Sequence, residues 1–195
     1  MYRNGEACLS NKKISLIGGS TMSWYVLFVE TGYEDDVCHY IDKVKTYLLE
    51  DVKYNLLVPK RKIYERKQGI RNEVIKKMFP GYVLVETDNI IQFYSRVKGA
   101  PHTIKFLRED DYFHEVRLDE IRQILHLTDQ MGLIDVSLAY VVNDKIRISD
   151  GPLLGREGII KKVDKRKGRA KVEFIINNNS LLIDLGIDII QRLEE

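Results

Sequence analysis

The stretch MFPGYVLV, residues 78–85, sets the frame from which the rest of the chain is read. Pro80 holds its own φ at about −65° and has no N–H to donate. Gly81 supplies backbone freedom that residues with a Cβ lack. Tyr82, Val83, Leu84 and Val85 then form an apolar, β-branched and aromatic run, which suits a strand buried on both faces. Phe79 stands at the entrance to that strand. A large aromatic there either plugs the core or faces a partner, and the local sequence leaves both open.

Upstream of this corner, residues 24–30 (WYVLFVE) read as a strand with Trp24 in the core. Thr31 and Gly32 make a turn, and Glu34, Asp35 and Asp36 suit the start of a helix. Val37, Tyr40, Ile41, Val44, Tyr47 and Leu48 then recur at helical spacing. Residues 54–59 read as a second strand, and 60–73 as a polar, basic hairpin arm turning at Gln68-Gly69. Downstream, 90–97 form a helix and 103–107 a short strand. A further helix covers 118–126, with Asp119 and Glu120 in its first turn and Ile121, Ile124 and Leu125 inward.

Periodicity fades over 127–143, so a linker is expected there, although Leu133, Ile134, Leu138 and Tyr140 are more apolar than a solvated tether requires. Beyond it the pattern changes. Lys145-Ile146-Arg147-Ile148 alternates, Asp150-Gly151-Pro152 signals a turn, and Gly158-Ile159-Ile160 begins another strand. Residues 164–168 are a polar turn, 170–176 a strand, 177–179 a turn of three asparagines, and 181 onward a last strand. Short strands this closely spaced point to a small β-barrel.

Composition narrows the class. The 195 residues are 44% hydrophobic and 31% charged, which fits a globular protein of one or two domains. No apolar run approaches the ~20 residues of a membrane span. Cys8 and Cys38 lie far apart and match no metal spacing, so free thiols in a reduced compartment are expected. Residues 1–21 read as a loosely ordered extension, or as the product of an upstream start codon ahead of Met22. Catalysis finds no support. His39, His102, His114 and His126 are scattered, Glu109-Asp110-Asp111 reads as an exposed loop, and neither a P-loop nor a dinucleotide fingerprint occurs. The chain is expected to be no enzyme and to need no cofactor or metal.

Two motifs, in this order, are similar to one known family. Trp24-Tyr25-Val26-Leu27 followed by Phe79-Pro80-Gly81-Tyr82-Val83 resembles the N-terminal (NGN) domain of NusG transcription factors. The run from Val142 through Ile148, with Gly151-Pro152-Leu153-Leu154-Gly155 and Gly158-Ile159-Ile160, looks like the KOW motif of that family's second domain. The resemblance covers 22–195. It implies an α+β chain: an NGN α/β sandwich with an antiparallel sheet at 22–127, a linker at 128–140, and an SH3-like KOW β-barrel at 141–195. It also implies a factor that rides on the clamp helices of RNA polymerase. By position, Phe79 and Tyr82 match the docking surface, with Phe28 and Phe106 as looser matches. Such a factor would be a cytoplasmic monomer, located with transcribing polymerase at the nucleoid.

The net charge of only +2 singles out no partner, but its distribution does. Lys60, Arg61, Lys62, Arg66, Lys67, Arg71, Lys76 and Lys77 face only Glu65 and Glu73. They read either as a solvated arm or as a contact to upstream or non-template DNA. Arg156, Lys161, Lys162, Lys165, Arg166, Lys167, Arg169 and Lys171 face only Glu157 and Asp164, a net charge of +6 across residues 156–171. Charge this dense is relieved by a polyanion, and arginine adds stacking and bidentate contacts. A hairpin in the nascent RNA is the expected ligand of this cluster, and a solubilising turn is the plainer alternative. The cluster departs from housekeeping members and resembles a specialised paralogue of the LoaP or RfaH kind, with LoaP favoured because the last fifty residues read as a stable barrel. Two other readings stand beside it: a general NusG whose KOW domain meets ribosome or termination factor, and a ribosome-associated KOW protein.

Overall fold

The computed structural model describes residues 22–192 except 107, 110–111, 143–144 and 177–178. The expectations for residues 1–21, 110–111, 143–144 and 177–178 lie outside the described residues. In chain order the elements are β1 (Ser23–Val29), α1 (Glu34–Leu48), β2 (Tyr54–Leu57), β3 (Lys60–Lys67), β4 (Ile70–Lys77), β5 (Tyr82–Thr87), α2 (Ile90–Val97), β6 (Thr103–Phe106), β7 (Arg108–Glu109), β8 (Tyr112–Phe113), β9 (Glu115–Val116) and α3 (Leu118–Leu125). There follow β10 (Leu133–Ile134), β11 (Ser137–Val142), β12 (Lys145–Asp150), β13 (Ile160–Asp164), β14 (Arg169–Ile176) and β15 (Asn179–Arg192). This is an α+β protein. The elements fall into two compact units: one runs to Val58 and resumes over Phe79–Leu118, the other takes Pro59–Met78 and everything from Asp119.

The first unit is built on an antiparallel sheet in the order β2-β5-β1-β6, with β9 also paired to β1. Strict alternation decides its faces. Tyr25, Leu27 and Val29 of β1 and Val83 and Val85 of β5 point into one core with Val37, Cys38 and Ile41 of α1 and Phe93 and Val97 of α2. Trp24 is buried, as expected. Helix α2 starts at Asn89, whose Oδ1 accepts from the Gln92 amide at 3.0 Å. Asn89→Ala is therefore expected to cost about 1 kcal/mol, read as a lower urea midpoint at unchanged slope.

The second unit holds the basic hairpin. Strands β3 and β4 pair from Lys60↔Lys77 to Lys67↔Ile70. Gln68 and Gly69 at the tip both have positive φ, 51° and 81°, the backbone of a tight two-residue hairpin turn. Strand β10 joins the hairpin on the β3 side, and β11 to β15 form a second sheet in the order β12-β11-β15-β14-β13. Val172, Phe174, Leu185 and Ile187 are among its buried residues.

The segment 128–140 differs from the linker expected of it. Strand β10 pairs in parallel with β3 through Leu133↔Lys60 and Ile134↔Arg61, and β11 is a central strand of the five-stranded sheet. The alternation of β11 is muted because its inward residues begin with Ser137 and Ala139, which are small. At Ser137 the packing is close. A Cβ on Gly151 would lie 2.8 Å from the Ser137 Cα, and the Ser137 Oγ accepts from the Leu153 amide at 3.0 Å.

Candidate functional site

The Phe-Pro-Gly corner is held by a buried carboxylate. Glu34 reads in sequence as an ordinary acid of a helix first turn, yet it is fully buried. Its Oε1 accepts from the Gly81 amide at 2.6 Å and its Oε2 from the Gly32 amide at 3.0 Å. The Gly81 carbonyl accepts from the Val29 amide at 2.9 Å. Gly81 has φ +85°, and a Cβ on it would meet Thr31 Oγ1 at 3.1 Å and the Val29 carbonyl at 3.3 Å. Only glycine meets both demands without strain.

This clamp fixes where β5 begins, and so where its first side chain points. Tyr82 lies directly across from Phe28 on β1, and the two rings stand 4.9 Å apart at 58°. Lys105 Nζ sits 6.0 Å above the Phe28 ring. Tyr82 is exposed, and Phe28 and Phe79 are half-buried. These three sequence candidates therefore fall at or beside one aromatic surface opposite the helix-covered face. Phe106 does not. The register Leu27↔Phe106 turns it inward with Leu27, where it is 2% exposed and meets Phe93 and Tyr94 edge-on at 6.1 and 5.8 Å. Its expected surface role is replaced by core packing.

The eight basic candidates of the second unit separate by what they touch. Lys161 meets Glu173 at 2.6 Å, and this contact, with a hydrogen bond from Ser180, holds the Glu173 carboxyl below its ordinary pKa. Lys171 and Arg169 flank Asp184 at 3.1 and 3.6 Å. Arg156 is half-buried before the β13 strand, and Lys162 is exposed on it. Lys165, Arg166 and Lys167 occupy the β13–β14 turn and are exposed. Asp164 braces that turn: its Oδ1 accepts from the Lys167 amide at 2.9 Å. Lys165 and Arg166 have no ion pair among the described residues.

The hairpin arm is not uniformly solvated. Arg61 donates to the Asp184 carbonyl at 2.6 Å, and burial pushes its guanidinium pKa down. Lys62 meets Asp135 at 2.8 Å, and that hydrogen bond raises the Lys62 pKa. Lys76 meets Glu65 at 3.2 Å. Arg71 lies over the Tyr64 ring at 3.4 Å and reaches Asp188 at 3.0 Å. Arg169 in turn donates to the Tyr64 carbonyl at 3.1 Å. Tyr64, Arg66 and Arg71 thus form one wall of a cleft of about 500 Å³ whose other wall is Arg166, Lys167 and Arg169. Glu65 is the one acid in its lining. Sequence reading treated these walls as separate regions. It singled out neither Tyr64 nor the acids Asp184 and Asp188, because nothing local marks them.

Among the described residues no cluster of His, Cys, Asp or Glu is arranged to hold a metal, and no helix is long and apolar enough to cross a membrane.

Known proteins bear on this arrangement. The family described as transcription termination factor NusG matches residues 22–125. The transcription termination/antitermination protein NusG of Thermus thermophilus is 25% identical over 175 residues, covering 85% of this chain and 95% of its own length. That of Haemophilus influenzae is 27% identical over 177 residues, covering 89% and 96%. A solved structure of domain interaction in Thermotoga maritima NusG shares the fold with a TM-score of 0.52 at 24% identity, over 85% of this chain and 93% of that one. The relatives are named as termination and antitermination factors, not as enzymes. By the match over 22–125, which takes in both the Trp24 strand and the Phe-Pro-Gly corner, the chain belongs to the NusG family of transcription termination/antitermination factors.

Proposed function

We propose that this chain is an RNA-directed elongation and antitermination factor of the specialised, LoaP-like kind. The NGN domain, 22–127, docks on the clamp helices of RNA polymerase through Phe79, Tyr82 and Phe28. The KOW domain, 141–195, binds nascent RNA, with a hairpin as the ligand and Lys165, Arg166 and Lys167 as its centre. The remaining basic candidates, Arg156, Lys161, Lys162, Arg169 and Lys171, border that centre. The factor works as a monomer in the cytoplasm, alongside transcribing polymerase at the nucleoid. Basic residues of the hairpin arm add contacts to upstream or non-template DNA. Linking two sites makes the second contact intramolecular, so modest RNA affinity is enough for recruitment.

The observation that carries this reading is the aromatic pair of half-buried Phe28 and exposed Tyr82, set just after Phe79 on a corner held by a buried carboxylate. A rigid aromatic patch suits an interface centre, where a few residues dominate the energy. Phe79→Ala is expected to weaken polymerase association about 30-fold, equivalent to ~2 kcal/mol, with the urea midpoint nearly unchanged. Unchanged association in a polymerase pull-down removes Phe79 from the interface.

A second reading, the general NusG whose KOW domain meets a protein of the ribosome or a termination factor, is favoured by one feature. Ile175, Leu181 and Leu182 are exposed on the β14–β15 ladder. Co-purification of the full chain with ribosomal subunits, abolished by Leu182→Ser and untouched by changes at Lys165–Lys167, would select it.

A further inference from the structure

We propose that the cleft between the β3–β4 hairpin and the β13–β14 turn is a composite RNA site, in which hairpin and turn together grip one unpaired strand. This deepens the RNA reading of the second unit and rests on it. The hairpin residues Tyr64, Arg66 and Arg71 then belong to RNA recognition, and contact to DNA falls to the arm's other basic residues.

Four observations converge. The first is charge placed against its own interest. Arg66 and Arg71 are directly opposed across the hairpin, an arrangement that like charges disfavour. Arg166, Lys167 and Arg169 face them from the other wall. Asp188, Asp184 and Asp164 reach Arg71, Arg169 and Lys167 from outside the lining; within it, Glu65 alone is acidic against five cations. A bound phosphodiester relieves that repulsion.

The second is a stacking surface. The Arg71 guanidinium lies on the Tyr64 ring at 3.4 Å, and its Nη2 is tethered to Asp188 at 3.0 Å. A guanidinium held over an aromatic ring offers a stacking surface to an unstacked base, and RNA-binding proteins favour such platforms for splayed nucleotides.

The third is close approach of the two walls. Gly168, with φ +63°, brings the turn so near that a Cβ would lie 3.1 Å from Arg71 Nη2 and 3.3 Å from Tyr64 Cδ2. Its carbonyl accepts from the Ile187 amide at 3.0 Å. That bond ties the turn to β15, and Arg169 joins the walls by donating to the Tyr64 carbonyl at 3.1 Å. The cleft is thus formed before any ligand arrives, which lowers the ordering cost of binding.

The fourth is a division of labour. Arg71, Arg169 and Lys167 are held by the acids Asp188, Asp184 and Asp164, whereas Arg66 and Arg166 are exposed with no ion pair among the described residues. Held residues shape the cleft and the others meet phosphates. Its size, about 500 Å³, is in the ~300–1,000 Å³ range of small-ligand sites. That suits one or two splayed nucleotides better than a duplex, whose A-form grooves are read by broad surfaces.

The test measures binding of the full chain to three probes across a salt series: a short single-stranded RNA, DNA of the same sequence, and the RNA annealed to its complement. Arg66→Glu reverses a charge in the cleft on an exposed strand position, and Lys67→Glu makes the same change just outside it. Arg66→Glu is expected to weaken single-stranded RNA binding about tenfold or more and to flatten the log–log salt slope by about 0.7. Lys67→Glu should do clearly less, and Arg66→Glu with Lys167→Glu should lose less than the product of the two single losses. RNA binding abolished by changes at Lys165, Arg166 and Lys167 yet unaffected by Arg66→Glu overturns the composite site and leaves RNA binding by the KOW domain standing. Equal affinity for DNA, or preference for the duplex, overturns the single-stranded RNA assignment. No salt-dependent RNA binding by the unaltered chain overturns the RNA reading itself.

Discussion

Glu34→Ala is expected to destabilise the first unit by about 3 kcal/mol and to release the Phe-Pro-Gly corner. The carboxylate is fully buried, and each oxygen takes a backbone amide, Gly81 at 2.6 Å and Gly32 at 3.0 Å. Hydrogen bonds to a charged group contribute roughly 1.5–3 kcal/mol each, and a buried N–H left alone keeps its full desolvation cost. Gly81 is itself buried, so water does not readily replace the lost acceptor. Truncation also leaves a void beside α1. Glu34→Gln keeps one accepting oxygen but turns an NH₂ toward a donor, so an intermediate loss is expected. The measurement is a urea titration followed by a polymerase pull-down. A lower midpoint at unchanged slope, together with weakened polymerase association, identifies the carboxylate as what positions Phe79 and Tyr82. An unchanged midpoint for Glu34→Ala would show that the corner holds without it.

Gly186→Ala is expected to pry the hairpin from β15. Its Cβ would fall 2.5 Å from the Lys62 carbonyl and 3.0 Å from Val136 Cγ2. The first of these is backbone, so no rotamer change makes room and the strands must separate. Overpacking of this kind costs about 1–3 kcal/mol. The Arg61 hydrogen bond to the Asp184 carbonyl, two residues away, is stretched by the same movement. Amide hydrogen exchange in β3 should accelerate well beyond that at the far end of β14, where Phe174, Ile175 and Ile176 pair with Leu181, Ser180 and Asn179, away from residue 186. RNA affinity should fall with it, because Tyr64 and Arg71 leave the turn. Protection in β3 equal to that of the unaltered chain would mean the close approach is not what joins hairpin and sheet.

Much of this protein was legible before any coordinates. The Phe-Pro-Gly corner, the helical spacing of Val37, Ile41 and Val44, and the Gln68-Gly69 hairpin are local patterns, and backbone sterics and side-chain periodicity decide local patterns. The basic turn at 165–167 was legible for the same reason: its neighbours in sequence are its neighbours in space. Phe106 was misplaced because the face it takes is set by a register against Leu27, some eighty residues away, and a period of two says only that it alternates. Strand β11 was hidden because its inward residues begin with Ser137, packed closely against Gly151, and Ala139, and residues so small mute the apolar alternation.

The candidate site divides along the same line. Local composition supplied its charges and its aromatics. Tertiary packing alone turned Glu34 from a first-turn acid into the buried anchor of a corner forty-seven residues away, since a carboxylate loses its water only where the fold closes over it. Tertiary packing alone also brought Arg71 and Arg166 to opposite walls of one cleft. That juxtaposition depends on Gly168 and Gly186, two positions where a missing side chain lets backbones approach, and a missing side chain leaves no pattern to read.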